Sequence, residues 1–200
     1  MDNKALYKIG YGLYVLTAKA NGKDNGCIIN TAIQVTSSPC NISITVNKQN
    51  FTHDLIKISG KLNISVLTTE TPFSLIKHFG FCSGRDTDKF SGIVAEESEN
   101  GLKYIKESAN AFISGKVFDS VDLGTHTMFF AEVIAAEILS DKPALTYDYY
   151  QTNIKPSANT NASKTKWRCE ICGYEYDGDN LPPDYICPVC KHGASDFSKV

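Results

Sequence analysis

The sequence predicts a mainly β protein, a barrel or sandwich with a few short helices, followed by a small metal-knuckle domain of a different character. Three observations carry this expectation. Short runs rich in Val, Ile, Thr and Tyr, bounded by turn residues, fill most of the first 150 positions. A polar stretch then interrupts the chain at 151–166. Beyond it, four cysteines fall within 22 residues.

Taken in order, residues 11–18 read as the first strand, and Asn21-Gly22 after them is a hairpin turn signal. Strands are expected over 26–35, after an Asn25-Gly26 turn, and over 41–47. Residues 52–58 read as a helix, with Leu55 and Ile58 three apart and Thr52 placed to cap its N-terminus. A strand over 62–67 precedes a second helix over 72–79, opened by Pro72 in its first turn. After the Asn100-Gly101 turn come strands over 111–121, 128–139 and 145–150. The middle one is ambiguous, because Ala and Glu favour helix, but Phe129, Ala131, Val133 and Ala135 alternate with their neighbours and strand is the expectation. No internal repeat is present.

Composition narrows the function. The 20 basic and 22 acidic residues leave a net charge of −2, which gives no reason to expect nucleic acid as a partner. No uncharged apolar run approaches the roughly 18 residues of a membrane span. Residues 9–18 could pass for the core of a secretion signal, but only Lys4 and Lys8 precede it and its Tyr/Gly alternation suits a strand. The expectation is a cytoplasmic protein without a membrane partner.

The stretch 151–166, rich in Asn, Ser, Thr and Lys, cannot bury enough surface to order itself and reads as a flexible linker between domains at 1–150 and 167–200. Charge also changes across it. Residues 1–166 carry net +1, whereas residues 167–200 carry 3 basic and 6 acidic side chains, net −3. A unit this small needs a metal or disulfides to hold a fold. The pairs Cys169-x-x-Cys172 and Cys187-x-x-Cys190, in a chain read as cytosolic, point to thiolate ligation of one tetrahedral metal. Spacing alone favours zinc, with iron as the alternative. Cys27, Cys40 and Cys82 stand apart and read as buried small apolar residues.

The residues around these pairs, Gly173-Tyr174, Tyr176-Asp177-Gly178-Asp179, Pro182-Pro183-Asp184-Tyr185, Pro188-Val189 and Phe197, resemble rubredoxin over nearly all of 167–200. The resemblance implies a mononuclear iron held by Cys169, Cys172, Cys187 and Cys190, passing single electrons. Trp167, Tyr174, Tyr185 and Phe197 would pack around the sulfurs. Two departures stand out. The loop between the cysteine pairs is short, and Lys191 occupies the place after the last cysteine where the family usually has Gly. A Gly takes positive φ cheaply, so Lys191 would strain the second knuckle and shift its potential.

Residues 1–150 contain no metal cluster, nucleophile motif or nucleotide-binding glycine pattern, so chemistry there needs a cofactor. The stretch 47–54 offers a strand end, Lys48 and the start of a helix, which together suit a phosphate or an ordinary capped helix. A longer pattern runs through Asn25-Gly26, residues 30–36, Pro39, residues 42–53 and 60–67, Phe79, Asp88-Lys89-Phe90 and Gly124-Thr125-His126. It resembles the flavin-reductase family, whose fold is an FMN-binding split β-barrel. Carried over, Asn30, Thr31, Ala32, Ile33 and Gln34 would line the isoalloxazine edge. Asn47, Lys48, Thr52 and His53 would hold the ribityl phosphate, and Lys89 would add a charge. His126 would contact a nicotinamide, although Thr125 stands where the family often has Asp. His78 reads as a satisfied structural histidine.

A flavin domain tethered to a rubredoxin resembles the high-molecular-weight rubredoxins. That resemblance implies a homodimer that oxidises NADH or NADPH through FMN and passes electrons singly through iron to a flavodiiron-type oxygen or nitric oxide reductase. No side chain need act as a catalytic acid or base. Two alternatives stay open: a flavin reductase with a structural zinc module, and a non-enzymatic carrier reduced by another protein.

Overall fold

The computed structural model describes residues 2–156 and 166–200. The chain forms two compact units, Met1–Lys155 and Pro156–Val200.

The first unit is built on one antiparallel sheet. Its strands are β1 (Tyr14–Ala20), β2 (Lys23–Ile29), β3 (Ala32–Ser37), β4 (Cys40–Asn47), β5 (Lys61–Leu67), β8 (Ala109–Asp122) and β9 (His126–Ile138). The strand order is β2-β1-β5-β8-β9-β4-β3, and β6 (Glu96–Glu97) with β7 (Lys103–Tyr104) forms a separate short ribbon. Helix α1 (Phe51–Ser59) joins β4 to β5, and α2 (Phe73–Phe81) follows β5. The order explains the closure. Strands β2 and β3 are the outermost of the seven, yet only Asn30 and Thr31 separate them in the chain. Laid flat, strands about 4.8 Å apart would hold the outer two roughly 29 Å from each other. Three Cα steps from Ile29 to Ala32 span at most about 11 Å. The sheet therefore curls until its edges approach, and the Tyr14 hydroxyl on β1 reaches the Ala32 carbonyl on β3 at 3.3 Å.

Two apolar clusters fill the unit. One takes Leu16, Ile44, Val46, Leu62, Ile64 and Phe129 from the sheet, with Leu55 and Ile56 from α1 laid against them. Burying each such aliphatic side chain contributes about 1.5–3 kcal/mol. The other holds Leu13, Val15, Leu67, Ile76, Phe79 and Leu145. Helix α1 ends where Gly60, at φ 64°, donates its N–H to Ile56 at 2.8 Å, the left-handed stop that glycine adopts without strain.

Strand β9 forms over the segment where helix and strand competed, because β8 and β4 both pair with it. Several expectations change. The predicted 26–35 strand is two, since the chain leaves β2 at Asn30-Thr31 to reach the far edge. Asn25-Gly26 lies inside β2 opposite Thr17 and Ala18, so it is no turn. Asn50 is the N-cap of α1 and Thr52 its second residue, while Pro72 precedes α2 as its cap. Residues 145–150 form no strand: they make the isolated Gly12–Thr146 bridge and a bond from the Leu145 N–H to the Leu67 carbonyl at 2.7 Å before turning into a short α-helical stretch, α3 (Tyr147–Tyr149), and a π-helical turn, Tyr150–Ile154. Tyr150 is buried and Ile154 packs beside it, so ordered chain runs into the segment read as linker. Positions 157–165 of that expected linker lie outside the described residues. Cys27 is buried as expected; Cys40, the first residue of β4, and Cys82, after α2, are exposed.

The second unit is a three-stranded sheet, β11 (Glu175–Asp177), β10 (Lys166–Cys169) and β12 (Phe197–Lys199), in that order. Cys169, Cys187, Cys190 and Phe197 form its buried centre, with Trp167, Tyr174 and Tyr185 against them.

Candidate functional sites, a cleft and a four-sulfur centre

The first site lies at the end of the barrel where its edges meet. Because β3 and β9 flank β4, residues far apart in sequence arrive together: Asn47 pairs with His126 across β4 and β9, and the Thr45 N–H reaches the Thr31 carbonyl at 3.2 Å. They open onto a cleft of about 460 Å³, within the range usual for small-molecule sites. Its polar rim is Asn30, Thr31, Asn47, Asn50 and His126; its walls include Leu13, Ile28, Leu123 and Tyr147. A planar aromatic ligand needs such apolar walls, and its polar edge needs such donors and acceptors. The residues present therefore fit a flavin.

Of the residues expected here, the fold brings together Asn30, Thr31, Asn47 and His126. Burial lowers the His126 pKa, which keeps the imidazole neutral at pH 7, and its Nδ1 lies 2.8 Å from Thr125 Oγ1. Ala32, Ile33 and Gln34 continue along β3, the last two exposed, and Gln34 donates to the Thr36 carbonyl at 3.2 Å.

Other expected contacts are engaged elsewhere. Thr52 is fully buried and donates to Asn25 Oδ1 at 2.9 Å. His53 is held on both sides, Nε2 2.9 Å from Thr127 Oγ1 and Nδ1 3.0 Å from Asp54 Oδ1. Burial would raise the Asp54 carboxyl, but hydrogen bonds from His53 and Arg85 outweigh it and hold it below the usual value. Lys48 Nζ meets both oxygens of Asp122 at 2.6 Å. Lys89, only 3% exposed, donates to the carbonyls of Gly26 at 2.9 Å and Phe79 at 2.8 Å, and so ties α2 to β2. Its charge serves the fold, because an ammonium buried this far must be matched by acceptors. His78 Nε2 lies 2.8 Å from the Lys89 carbonyl, the satisfied histidine expected.

Sequence reading missed Leu13, Ile28, Asn50, Leu123 and Tyr147. Asn50 lay inside the polar stretch already singled out. Tyr147 carried a weaker signal, an aromatic cluster at the end of the domain, whereas the aliphatic walls look like any core residue.

The second site needs no rearrangement to bind a metal. Cys169 Sγ lies 3.5 Å from Cys190 Sγ, Cys172 Sγ lies 3.5 Å from Cys187 Sγ, and all four sulfurs fall within 4.8 Å of one another. A tetrahedral centre with metal–sulfur bonds of about 2.3 Å has sulfur–sulfur edges of roughly 3.8 Å. The two turns are alike. Gly173 N–H closes the first onto the Cys169 carbonyl at 2.8 Å, and Lys191 N–H closes the second onto the Cys187 carbonyl at 2.9 Å. Both closing residues have positive φ, 74° at Gly173 and 62° at Lys191. Without a metal, burial drives the Cys190 thiol up to about 11 and raises Cys172 as well. Burial would raise Cys187 too, but the N–H groups of Cys190 and Val189 outweigh it, and its pKa falls.

Residues 6–156 match the flavin reductase like domain, and residues 167–198 match the rubrerythrin, rubredoxin-like domain. A high molecular weight rubredoxin of Moorella thermoacetica is 38% identical, with 100% of both chains covered. A ferric-chelate reductase (NAD(P)H) of Archaeoglobus fulgidus is 43% identical over 75% of this chain and 89% of its own. Among solved structures, the NADH:FAD oxidoreductase SgcE6 of Streptomyces globisporus superposes with a TM-score of 0.65 at 22% identity, covering 71% of this chain and 84% of the other. An FMN-binding protein of Thermus thermophilus gives 0.63 at 20% identity over 70% of this chain and 83% of its own. These last two likenesses establish the fold.

Proposed function

Because the chain belongs to the flavin reductase-like family and carries a rubredoxin-like domain behind it, we propose that it oxidises NADH or NADPH through FMN and passes the electrons singly through iron to a protein acceptor. The observation that carries this reading is the presence, on one chain, of a flavin-sized cleft and a four-sulfur centre. The full-length match to the high molecular weight rubredoxin of Moorella thermoacetica supports it.

Bound flavin would accept a hydride and release electrons one at a time, and thiolate-ligated iron would carry one electron per visit. The protein's part is binding and exclusion. Leu13, Ile28, Leu123 and Tyr147 would enclose the ring system, while Asn30 and Thr31 would meet its polar edge. Asn47, Asn50 and the start of α1 would receive the phosphate end. Lys48 would join them by leaving Asp122, a partner that is 68% exposed and therefore weakly held. Neutral His126 at the rim can donate or accept one hydrogen bond toward the nicotinamide. Cys169, Cys172, Cys187 and Cys190 would hold the iron. No side chain is required to move a proton in the hydride step.

We take the acceptor to be of the flavodiiron type and the protein to act as a homodimer. The apolar side chains Ile33, Val35, Phe118, Val121 and Ile134, exposed on β3 and on the β8–β9 ribbon, support the second part. Sedimentation should return twice the 22.0 kDa of one chain; a monomer at micromolar concentration would refute it.

The decisive experiment is the visible spectrum of the anaerobic protein, with iron, zinc and flavin assayed in the same sample. Flavin bands and a thiolate-to-iron envelope that both bleach on adding NADH or NADPH are the expected result. A Cys190→Ser variant should still reduce its flavin but lose delivery to a protein acceptor. Zinc in place of iron, or flavin bands that no nicotinamide bleaches, would overturn the path. A second reading has its own support in the 43% identical ferric-chelate reductase: direct reduction of ferric chelates by the first unit. That activity would survive Cys190→Ser unchanged.

A further inference from the structure

The two metal-binding turns share one backbone, and each has a cation at its outer corner. In the first, Gly173 takes φ 74° and the guanidinium of Arg168 lies over it; a Cβ at Gly173 would sit 3.6 Å from Arg168 Nη2. In the second, Lys191 itself stands at φ 62°. Among the described residues the only other non-glycine at positive φ is Asn21, in the Asn-Gly turn between β1 and β2, where asparagine is well suited. Lysine has no such local preference for the left-handed region. The chain therefore places a charged side chain where its own first turn uses glycine.

The charge inventory points the same way. Residues 167–200 hold three basic side chains, and two of them, Arg168 and Lys191, are sequence neighbours of the ligands Cys169 and Cys190. Among the described residues neither has a carboxylate partner, whereas Lys166 is engaged by Glu175 at 3.1 Å and Asp177 at 3.6 Å. The unit is otherwise acidic, so these corners are the exception in its field.

We propose that Arg168 and Lys191 form a charge-compensating pair that makes the four-thiolate iron easier to reduce. This rests on the iron reading above. Four thiolates around Fe(III) carry net −1 and around Fe(II) net −2, so the arriving electron adds negative charge to the centre. A cation beside each turn stabilises that added charge, and the midpoint potential rises. Both side chains are exposed, so salt must weaken the effect, with a screening length of about 10 Å at 0.1 M.

The test is a redox titration of the full-length iron-loaded protein followed by the ferric EPR signal, to which a flavin does not contribute. At low ionic strength Lys191→Gln and Arg168→Gln should each lower the midpoint, and Lys191→Arg should retain it. The Lys191→Gly variant removes both the charge and the backbone strain, and should lower the midpoint as Lys191→Gln does while making the second unit more resistant to denaturant. All differences should shrink as salt is added. Equal midpoints for the wild type and Lys191→Gln at low salt would overturn the proposal. A Gly variant that moves opposite to the Gln variant would do the same, since strain would then set the potential. Iron-loaded protein without a ferric signal would overturn the iron reading and this inference with it, which separates the two failures.

Discussion

Replacing Lys89 with Met should unfold the first unit more readily and leave its cleft almost untouched. The lysine is buried and its Nζ donates to Gly26 at 2.9 Å and Phe79 at 2.8 Å, joining β2 to α2. Met fills much the same volume but leaves two buried carbonyls unpaired, at about 1–3 kcal/mol each. Removing an ammonium that was costly to bury returns part of this, so the net loss should be about 2–4 kcal/mol. With a urea m-value of about 2 kcal/mol/M, the unfolding midpoint should fall by about 1–2 M. The pH dependence is a second signature. Burial lowers the Lys89 pKa from 10.5 despite the opposing influence of the Cys27 and Cys82 thiols. Between the lowered value and 10.5 the unfolded chain binds more protons than the folded one, so this residue's contribution to stability grows as pH rises through that window. Below the lowered value the contribution is flat. The wild type should show that rise and the Met variant should not, in urea titrations followed by near-ultraviolet circular dichroism. Flavin affinity should stay within about threefold, since less than 1 kcal/mol of binding contact is disturbed. Unchanged stability with flavin binding weakened tenfold would refute the reasoning and return Lys89 to the cofactor.

Three other outcomes follow from the same geometry. Adding Zn(II) or Fe(II) to metal-free, reduced protein at pH 8 should release at least two protons per metal, from Cys172 and Cys190, whose thiols burial keeps protonated; an indicator dye in weak buffer reads this directly. Metal affinity should accordingly fall as pH drops. Changing His126 to Ala removes one rim hydrogen-bonding group, and should weaken binding of either flavin or nicotinamide by about fivefold, equivalent to ~1 kcal/mol, in a fluorescence titration. Asn63→Ala should cost about 3 kcal/mol in the same urea assay, because Asn63 is fully buried and makes four hydrogen bonds, to Ser98 at 2.7 Å, Leu102 at 3.0 Å, Ser114 at 2.7 Å and Asn100 at 2.8 Å.

The metal centre was legible in the sequence because a C-x-x-C turn is local. Four residues fix the direction of two sulfurs, and two such turns need only face each other. The strands were legible for a related reason, since β-branched runs between turn residues carry their own period. Even β9, where Ala and Glu argued for helix, followed its alternation once β4 and β8 supplied partners on both sides. The cleft was harder. Asn30, Asn47 and His126 came from a family pattern, and their meeting depends on β3 crossing to the far edge of the sheet. Lys48, Thr52, His53 and Lys89 had the right chemistry for a phosphate or a flavin, but nothing local reveals that Asn25, Thr127 or the Gly26 carbonyl would claim them. Long-range hydrogen bonds of that kind leave no trace in spacing. Tyr147 was hidden for the opposite reason, because a Tyr-rich segment read as a strand takes a different direction once it coils.

The place where the barrel's two edges approach is also where the cleft opens, with Ile28 and Ile29 from one edge and Thr45 and Asn47 beside the other. A ligand seated there would act as a latch across a seam that backbone pairing alone does not close. The free energy released by occupancy would itself favour the rolled sheet. Ligand at a hundredfold excess over Kd adds about 2.7 kcal/mol to the closed form. Amide exchange along β2 and β3 should consequently slow on ligand loading far more than exchange in β5 or β8 at the middle of the sheet, so that what fills the cleft would also fasten the fold.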